Sequence, residues 1–360
     1  MSGRFDIAIV GAGMAGASLA AELAAHASVL LLEAEDQPGY HSTGRSAAFW
    51  AESYGGPFVQ PLTSASGPFL RSNGFLNPRG ALHLADAEGV EALDSLEAEF
   101  GPSVEFERLG GERLTALVPG LREGWADGLF EPSCADIDVA GLHAFYLAQA
   151  RRQGSTVVTR AEVGELVRAD SGWALETSAG PFRAAIVADC AGAWADRVAG
   201  LAGARPIGLQ PYRRTLVQLR VEPAAPPGLP LVIDALGRFY FKPEPGGRIW
   251  LSPHDETPCD PCDCAPEELD VALAVDRFER AVDWRVERVE RKWAGLRSFA
   301  PDRRPVYGFD PQVPGFFWCA GQGGFGIQTA PAAAKLAAAL LLGREPELDP
   351  APYVPGRFAS

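Results

Sequence analysis

The sequence has little positive charge, few cysteines and no long apolar run, and each shortage excludes a class of protein. Its 32 Lys and Arg residues against 46 Asp and Glu give a formal net charge of -14. Nucleic acids and anionic membranes require clustered cations, so neither is an expected partner. No run of about 18 apolar residues is present, and the start MSGRF lacks a secretory signal pattern. We therefore expect a cytoplasmic protein with no integral membrane segment.

Cysteine is scarce as well. Six cysteines in 360 residues are too few for a disulfide scaffold, which agrees with a reducing compartment. Three of them, Cys259, Cys262 and Cys264, cluster in TPCDPCDC, and His254 is nearby. A metal site is one interpretation, but the spacing matches none of the paired zinc patterns. We expect these cysteines to be exposed in a loop and the protein to bind no metal.

The N-terminal segment contains one complete strand–helix–strand unit. FDIAIV is an apolar strand pattern, GAGMAG follows as a tight turn, and an Ala- and Leu-rich helix leads to the strand SVLLLE. Two further apolar strands, at 184–192 and 315–324, also end in small residues that lead into helical sequence. Strands of this kind, far apart in the chain, predict one parallel sheet assembled from separate segments.

The intervening stretches have a different pattern. Short β-type runs separated by turn residues, such as RRTLVQLRV and FYFKPEPGGRIWLSP, predict an antiparallel sheet. Apolar residues near helical spacing among many charges predict a surface helix over 267–292. The predicted fold class is α/β, or α+β overall. A Rossmann-like cofactor domain with a parallel sheet is assigned to 1–48, 141–205 and 291–360, and a substrate domain with an antiparallel sheet to 49–140 and 206–290.

Three glycines follow the first strand and open the first helix. Gly11 permits the tight turn, Gly13 lets a pyrophosphate approach the backbone, and Gly16 lets the helix pack closely on the sheet. The helix N-terminus offers N–H groups and a positive dipole end to phosphates. Glu33 ends the second strand, 22 residues beyond Gly11, where its carboxylate accepts hydrogen bonds from ribose hydroxyls and repels a 2′-phosphate. The pattern predicts a site for FAD or NAD and disfavours NADP.

The segment DQPGYHSTGRSAAFW, which follows Glu33, favours FAD over NAD. Its hydroxyls and guanidinium suit phosphate oxygens, and its small residues let a flat ring system lie against the backbone. NAD dehydrogenases do not need this second cradle. The residues concerned are His41, Ser42, Thr43, Gly44, Arg45, Ser46, Ala47 and Ala48.

Eight stretches, in collinear order from residue 9 to about residue 330, carry a family resemblance. They are GAGMAGAS, QPGYHSTGRSAA, ADIDVAGLH, AGAWADRVAGLAG, GLQPYRR, FYFKP, WAGLRSF and GFFWCAGQGGFGIQT. In them the chain resembles the FAD-dependent D-amino-acid oxidases and dehydrogenases (the DAO family), glycine and sarcosine oxidases included. Within that family it is most similar to the arginine-preferring bacterial D-amino-acid dehydrogenases. The resemblance implies a two-domain fold with non-covalent FAD lying extended across the first domain.

The resemblance also implies where each part of FAD lies. The adenine lies near Val163, and the pyrophosphate lies near the glycine loop and Arg45. The isoalloxazine ring lies near Ala47 and the glycine-rich loop 323–328, whose N–H groups could support the ribityl chain or the flavin O2 region. The implied FAD-binding residues are Gly11, Ala12, Gly13, Met14, Ala15, Gly16, Glu33, Ala34, Ser42, Thr43, Arg45, Ser46, Ala47, Ala48, Val163, Ala191, Gly192, Trp194, Gly323, Gly324, Phe325, Gly326, Ile327 and Gln328.

Oxidation of an amino acid at Cα requires a cationic fork that holds the carboxylate and aims the Cα–H at flavin N5. The resemblance assigns this role to Arg297 in WAGLRSF and places Arg214 of QPYRR near the same pocket. An unpaired guanidinium within an apolar run is costly, which supports the role of Arg297. Tyr54, on a mobile loop over the pocket, and Tyr240 each offer an apolar ring and a hydroxyl. Gln328 completes the set on the flavin side.

Two positions depart from the arginine-preferring members of the family. Phe49 stands where those relatives carry a histidine, and Ala81 stands where they carry a glutamate. Without that glutamate, a cationic substrate side chain has no partner in the pocket and is disfavoured. We therefore expect neutral, hydrophobic D-amino acids as substrates.

The expected reaction is hydride transfer from Cα of a neutral-amine substrate to FAD, which gives an imino acid that hydrolyses to a 2-oxo acid and ammonia. O2 and a quinone-type carrier both stay open as the electron acceptor. A second interpretation is an oxidase or dehydrogenase of 2-hydroxy acids or N-methyl amino acids, like glycine and sarcosine oxidases. A third, from another class, is a non-catalytic flavin-binding subunit, and the last is a plain NAD dehydrogenase.

Overall fold

A computed structural model describes residues 4–169 and 171–358 of the chain. Within these residues the backbone forms 20 β-strands and eight α-helices. The strands are β1 Arg4–Val10, β2 Val29–Leu32, β3 Phe49–Trp50, β4 Leu76–Pro78, β5 Ala81–Ala85, β6 Glu107–Gly110, β7 Asp127–Glu131, β8 Ala135–Ile137, β9 Thr156–Val158, β10 Val163–Ala169, β11 Gly172–Thr177, β12 Gly180–Asp189, β13 Gln210–Glu222, β14 Leu231–Asp234, β15 Tyr240–Glu244, β16 Arg248–Ser252, β17 Thr257–Pro258, β18 Arg285–Phe299, β19 Val306–Phe309 and β20 Phe316–Ala320. The helices are α1 Met14–Leu23, α2 Gln60–Ser72, α3 Val90–Phe100, α4 Glu112–Leu117, α5 Val139–Arg152, α6 Ala195–Leu201, α7 Glu268–Ala281 and α8 Ala330–Leu341.

The strands β9, β2, β1, β12 and β20 are parallel neighbours, in that order, within an eight-stranded sheet. Val10 pairs with Asp189, and Asp189 pairs with Trp318, so β1, β12 and β20 end side by side. The predicted parallel sheet, assembled from distant segments, is therefore confirmed. Small residues of α1, such as Ala17 and Ala20, are fully buried and let this helix lie close to its neighbours.

A second sheet of nine strands has the order β17-β13-β16-β15-β14-β5-β7-β6, with β18 paired to β13. All of its pairs are antiparallel except β14 with β5, which confirms the predicted antiparallel sheet. Its core contains the buried rings of Phe239, Phe241 and Phe278. A small three-stranded sheet, β3-β8-β4, carries Phe49. Both large sheets and the flanking helices agree with the expected mixed fold class.

The predicted helix over 267–292 is wrong in its second half. Helix α7 ends at Ala281, and strand β18 begins at Arg285 and pairs with β13. The register shifts twice, so Glu287 and Glu290 are extra residues opposite β13. Apolar residues in a strand normally recur every two residues, and each bulge adds one residue to that spacing. Val286 and Val289 are therefore three residues apart, which is also a spacing of apolar residues in a helix.

Two of the predicted domain boundaries also fall inside continuous elements. The boundary after residue 290 lies within β18, and the boundary after residue 140 lies within α5. A division of the chain into a cofactor part and a substrate part is still our proposal, but β18 belongs to the antiparallel sheet over its whole length. Within the described residues, no helix is both long and apolar enough to cross a bilayer.

Candidate active site

A groove of about 370 Å³ lies where β1, β2 and β12 end, between Val10, Leu32 and Cys190. Its volume is within the range of about 300 to 1,000 Å³ of small-molecule sites. Most of the residues predicted to bind FAD line this groove. They are Gly11, Gly13, Met14, Ala15, Glu33, Ala34, Ser42, Thr43, Ser46, Val163, Ala191, Gly192, Trp194, Gly323, Gly324, Gly326 and Ile327.

The glycine loop has no room for side chains. Gly11 has a φ of +98°, and a Cβ atom there would lie 2.5 Å from the carbonyl oxygen of Cys190. A Cβ atom at Gly16 would lie 1.9 Å from the carbonyl oxygen of Gly11. Gly16 does not line the groove, and its predicted role in close helix packing agrees with this contact. At Gly13 a Cβ atom would approach Thr43 Oγ1 at 3.3 Å, within the space left for a phosphate group.

The Glu33 carboxylate supports the glycine loop as well as lining the groove. Its Oε2 accepts a hydrogen bond from the N–H of Ala12 at 2.9 Å, and its Oε1 accepts one from the N–H of Glu35 at 3.1 Å. The carbonyl of Ala12 accepts a hydrogen bond of 2.9 Å from His143 Nε2. Burial lowers the pKa of His143, so its ring is neutral. Ala12 therefore acts through its backbone, away from the groove wall.

The predicted contact of Arg45 with the pyrophosphate is wrong for this arrangement. Arg45 does not line the groove, because Asp263 and three backbone carbonyls, one of them that of Tyr40 at 3.2 Å from Nε, already engage its guanidinium. Nη1 donates to the carbonyls of Cys264 at 2.9 Å and Ala294 at 3.2 Å, and Nη2 pairs with Asp263 at 2.5 Å. Arg45 thus ties the cofactor segment to the cysteine-containing loop.

That loop also departs from the prediction of exposed cysteines. Cys262 is exposed, but Cys259 is half-buried and Cys264 is buried against Ala193 and Leu296. These apolar contacts explain why Cys264 points inward. Among the described residues, no group of three or more His, Cys, Asp or Glu side chains is arranged to hold a metal ion.

A second, smaller cavity of about 20 Å³ adjoins the groove and shares Ser46, Arg297, Gly324 and Ile327 with it. It brings together most of the predicted substrate residues with the small residues expected near the flavin ring. Its lining residues are Ser46, Ala47, Ala48, Phe49, Tyr54, Arg214, Tyr240, Arg297, Gly324, Ile327 and Gln328.

The two arginines of this cavity differ in their partners. Arg214 donates to the carbonyl of Asp255 at 2.8 Å and pairs with Glu256 at 3.0 Å. Arg297 is 7% exposed and donates only to the carbonyls of Leu296 and Arg45, at 3.1 and 3.2 Å. Within the part of the chain that the structure describes, Arg297 has no carboxylate partner. Burial, and then the nearby Arg214, lower the pKa of Arg297.

The segment that carries Tyr54 is held by hydrogen bonds, which argues against the predicted mobile loop. Glu131, fully buried, accepts hydrogen bonds from the N–H of Glu52 at 2.7 Å and from Ser53 Oγ at 2.5 Å. The amide of Gln328 accepts from the N–H of Ala51 at 3.3 Å and donates to the carbonyl of Tyr54 at 2.9 Å. Gln328 therefore positions this segment.

Aromatic rings close the remaining side of the small cavity. Phe49 lies 4.9 Å from the ring of Tyr54 and 5.9 Å from that of Tyr240, both edge-on. Phe325 packs on Tyr54 at 5.1 Å from outside the cavity. Ala81 is fully buried behind these rings and does not line the cavity. Ala81 and Phe49 belong to the same apolar cluster, and of the two only Phe49 lines the cavity, so the effect of Ala81 on substrate charge stays a prediction.

Comparison with known proteins identifies this arrangement. A family model described as "FAD dependent oxidoreductase" (DAO) matches residues 6–340. The chain belongs to this family. A glycine oxidase of Pseudomonas aeruginosa is 29% identical over an alignment of 388 positions, which covers 97% of this chain and 98% of that protein. The predicted family, fold class and FAD dependence are thereby confirmed.

Two solved structures share the fold of this DAO-family chain. The glycine oxidase of Geobacillus kaustophilus has a TM-score of 0.87 at 24% identity, with 98% of each chain covered. The L-proline dehydrogenase of P. horikoshii has a TM-score of 0.87 at 22% identity, with 100% of this chain and 99% of that chain covered. At this identity the likeness concerns the fold alone. The finer resemblance to arginine-preferring dehydrogenases stays a prediction.

The groove fits FAD on its own geometry. The glycine loop leaves the backbone bare where a pyrophosphate would lie, and the Glu33 carboxylate lines the position of a ribose. Val163 lines the groove beside Glu162 and Arg197, at the end expected for the adenine. The substrate cavity adjoins the groove at Gly324, and Val163 is not among the residues that line it.

Several residues of the site have roles that could not be assigned from the sequence. Gly295 is one, because a Cβ atom there would lie 2.9 Å from Arg297 Nη1 and would displace the guanidinium. His143 supports the glycine loop from a distant helix. His254 lies behind Tyr54 and Tyr240. These contacts depend on long-range packing, so Gly295 of WAGLRSF and His143 of ADIDVAGLH could be given no role from the sequence, and His254 lies outside all eight stretches that carry the family resemblance.

Proposed function

We propose that this FAD-dependent oxidoreductase oxidises short, neutral amino acids, either D-amino acids or glycine, at Cα. Bound FAD would supply a hydride acceptor beside the small cavity. The product is an imino acid, which water hydrolyses to a 2-oxo acid and ammonia. The observation that carries the proposal is the buried guanidinium of Arg297, which has no carboxylate partner among the described residues and faces the cavity next to the cofactor groove.

A buried, unpaired guanidinium is costly, and an anionic ligand relieves that cost. The substrate carboxylate supplies the missing charge, and a guanidinium can hold it with two parallel hydrogen bonds. Arg214 lines the same cavity but already pairs with Glu256. Its role is therefore secondary: its positive charge adds to the attraction that Arg297 exerts on a carboxylate. Holding the carboxylate in this way fixes the position of Cα relative to the groove.

The dimensions of the cavity support a short substrate side chain. A free volume of about 20 Å³ is only slightly more than the about 10 to 15 Å³ that one water molecule requires. Phe49, Tyr54 and Tyr240 form apolar walls, and of the described residues that line the cavity none is a carboxylate. A cationic side chain would therefore be buried without a partner, which disfavours D-arginine.

The amine must lose its proton before a hydride leaves Cα. The described residues that line the cavity include no histidine and no carboxylate that could serve as a general base. The proposal is therefore that the substrate is bound as the neutral amine, so kcat/KM rises with pH towards the amine pKa. A flat profile between about pH 6 and pH 10 contradicts this scheme.

FAD is proposed to be held without a covalent bond. Cys190 is the thiol that lines the groove, and burial raises its pKa well above the usual value. A thiol that stays protonated is a poor nucleophile. Acid precipitation of the purified protein should therefore release all of its FAD into the supernatant, and a yellow pellet contradicts the proposal.

The experiment that tests the function is a substrate panel with product analysis. FAD-loaded protein is incubated with glycine, sarcosine, D-alanine, D-leucine, D-arginine, L-alanine and lactate, once in air and once with a soluble quinone, and 2-oxo acid and ammonia are measured. Glycine or D-alanine should give the highest kcat/KM, and D-arginine should be poor. Turnover of lactate alone would identify a 2-hydroxy-acid dehydrogenase or oxidase, and turnover of sarcosine alone would identify an enzyme for N-methyl amino acids. A flavin-loaded protein that turns over none of them is a non-catalytic subunit.

A further inference from the structure

His254 lies outside the substrate cavity and packs against two of its walls. Its ring is 5.5 Å from that of Tyr240, edge-on, and 6.3 Å from that of Tyr54. His254 Nε2 is 3.4 Å from the hydroxyl oxygen of Tyr54, a long hydrogen bond of the kind that tightens when a ligand binds. His254 has a φ of 54°, and its N–H is held by Ser252 Oγ at 3.1 Å. The backbone thus presents the ring to Tyr54.

The hydrogen bonds of the ring define its tautomer. Nδ1 lies 2.9 Å from the carbonyl oxygen of Gly237, which can only accept, so Nδ1 carries a proton. Burial, and then the nearby Arg214, lower the pKa of His254 to about 3. The ring is therefore neutral near pH 7, and Nε2 has a free lone pair. Nε2 can only accept a hydrogen bond from the Tyr54 hydroxyl.

A tyrosine hydroxyl has one proton to donate. When that proton points to His254, the oxygen of Tyr54 faces its surroundings only as an acceptor. The guanidinium of Arg214 lines the same cavity and is already engaged by the carbonyl of Asp255 and by Glu256. A Cβ atom at Gly324, which lines both the groove and the cavity, would lie 3.5 Å from the hydroxyl oxygen of Tyr54, so this oxygen lies close to the junction of the two.

We propose that His254 is a positioning residue that orients the Tyr54 hydroxyl proton away from the cavity, so that Tyr54 accepts a hydrogen bond from the substrate amine. The inference rests on the proposed function, because it names the group that recognises the amine. It assigns different parts of the substrate to different residues: Arg297 binds the carboxylate, and Tyr54 binds the amine. A purely structural histidine would affect ligands with and without an amine equally.

The first experiment measures binding without turnover. 2-Aminoisobutyrate has an amine and a carboxylate but no Cα–H, and pivalate has the same shape with a methyl group in place of the amine. Both are titrated into FAD-loaded protein, and the perturbation of the flavin absorbance gives Kd. His254→Phe keeps the ring contact with Tyr240 and removes the acceptor. It should weaken 2-aminoisobutyrate roughly 3- to 10-fold, the usual effect of one neutral hydrogen bond, and leave pivalate within about twofold.

His254→Gln is the matched control, because its amide oxygen reaches the ε position of the ring and can accept from Tyr54, and glutamine, like phenylalanine, has no special tolerance of positive φ. It should bind 2-aminoisobutyrate more tightly than His254→Phe does. The second experiment repeats His254→Phe in a Tyr54→Phe background, where the effect on kcat/KM should shrink to less than about twofold if His254 acts through Tyr54.

Equal weakening of both ligands by His254→Phe, or an unchanged effect in the Tyr54→Phe background, overturns the role of His254 and leaves the proposed function intact. If wild-type protein binds pivalate but not 2-aminoisobutyrate, amine recognition is absent and both proposals fail. Melting temperature and FAD content of each variant show whether the fold is retained.

Discussion

Replacing Arg297 by methionine should make the protein more stable and its substrate binding much weaker. The guanidinium is 7% exposed and, among the described residues, donates to two carbonyls and to no carboxylate; burial, and then its cationic neighbour Arg214, lower its pKa. Apolar replacements of buried charged groups are often more stable by about 1 to 4 kcal/mol. We expect Arg297→Met to gain about 1 to 3 kcal/mol, since methionine has a similar length and fills irregular space.

The same substitution removes both hydrogen bonds to the substrate carboxylate. Hydrogen bonds to charged groups contribute about 1.5 to 3 kcal/mol each. The loss of two corresponds to a decrease in kcat/KM of roughly 10²- to 10⁴-fold. Urea unfolding at saturating FAD, which keeps cofactor linkage constant, measures the stability change. Turnover of glycine or D-alanine measures the functional change.

Arg213 provides the matched control, because it precedes Arg214 in the same strand and is similarly buried but paired. It forms ion pairs with Glu267 and, at 2.8 Å, with Asp270, and it does not line the cavity. Arg213→Met leaves the half-buried Asp270 unpaired and should lower stability by about 1 to 3 kcal/mol, with little effect on kcat/KM. The reasoning is refuted if Arg297→Met is destabilised like Arg213→Met, or if it keeps wild-type kcat/KM.

Three further predictions concern the cofactor loop, the pH dependence of stability and the cavity size. Gly16→Ala places a Cβ atom 1.9 Å from the carbonyl oxygen of Gly11 and should yield protein without FAD. Gly200→Ala places its Cβ atom in open space and should retain FAD. Flavin absorbance of the two purified proteins tests this difference. Burial lowers the pKa of His254 to about 3 in the folded chain, whereas an unfolded histidine has a pKa of about 6.5. As the pH falls below about 6.5, the unfolded chain binds a proton that the folded chain does not, so the free energy of unfolding decreases. From pH 7 to pH 5, wild type should lose roughly 2 kcal/mol of unfolding free energy relative to His254→Asn in urea titrations, and parallel curves contradict this. Phe49→Ala should raise kcat/KM for D-leucine relative to glycine by roughly 10-fold or more, since it removes a wall of the cavity; an unchanged ratio contradicts the assigned wall.

Local and periodic features of the chain were predictable from the sequence. The turn glycines Gly11 and Gly16 and the strand-end Glu33 follow from short-range geometry, and in the structure Gly11 and Glu33 line the groove while Gly16 packs against the carbonyl of Gly11. Strand ends far apart in the chain were also brought together correctly, because apolar strands that lead into helices pair in parallel. The role of Arg297 was implied by the family resemblance, and the cost of an unpaired charge within an apolar run supported it.

Features that depend on distant partners were not predictable. A guanidinium next to hydroxyl side chains suggested that Arg45 binds phosphate. In the structure Arg45 pairs instead with Asp263, which is 218 residues further along the chain. The bulges at Glu287 and Glu290 arise from pairing with β13, so the local spacing imitates a helix. His254 has no motif, and its position behind Tyr54 follows only from the packing of β15 and β16.

The most direct test of the central claim is anaerobic mixing of FAD-loaded protein with glycine or D-alanine, followed through the flavin absorbance, with Arg297→Met alongside. We expect complete bleaching of the wild-type flavin, with 2-oxo acid and ammonia formed in amounts equal to the reduced FAD. We also expect bleaching at least roughly 100-fold slower in Arg297→Met at the same subsaturating substrate concentration. A wild-type flavin that stays oxidised with every neutral amino acid, or equal rates in the two proteins, would contradict the central claim.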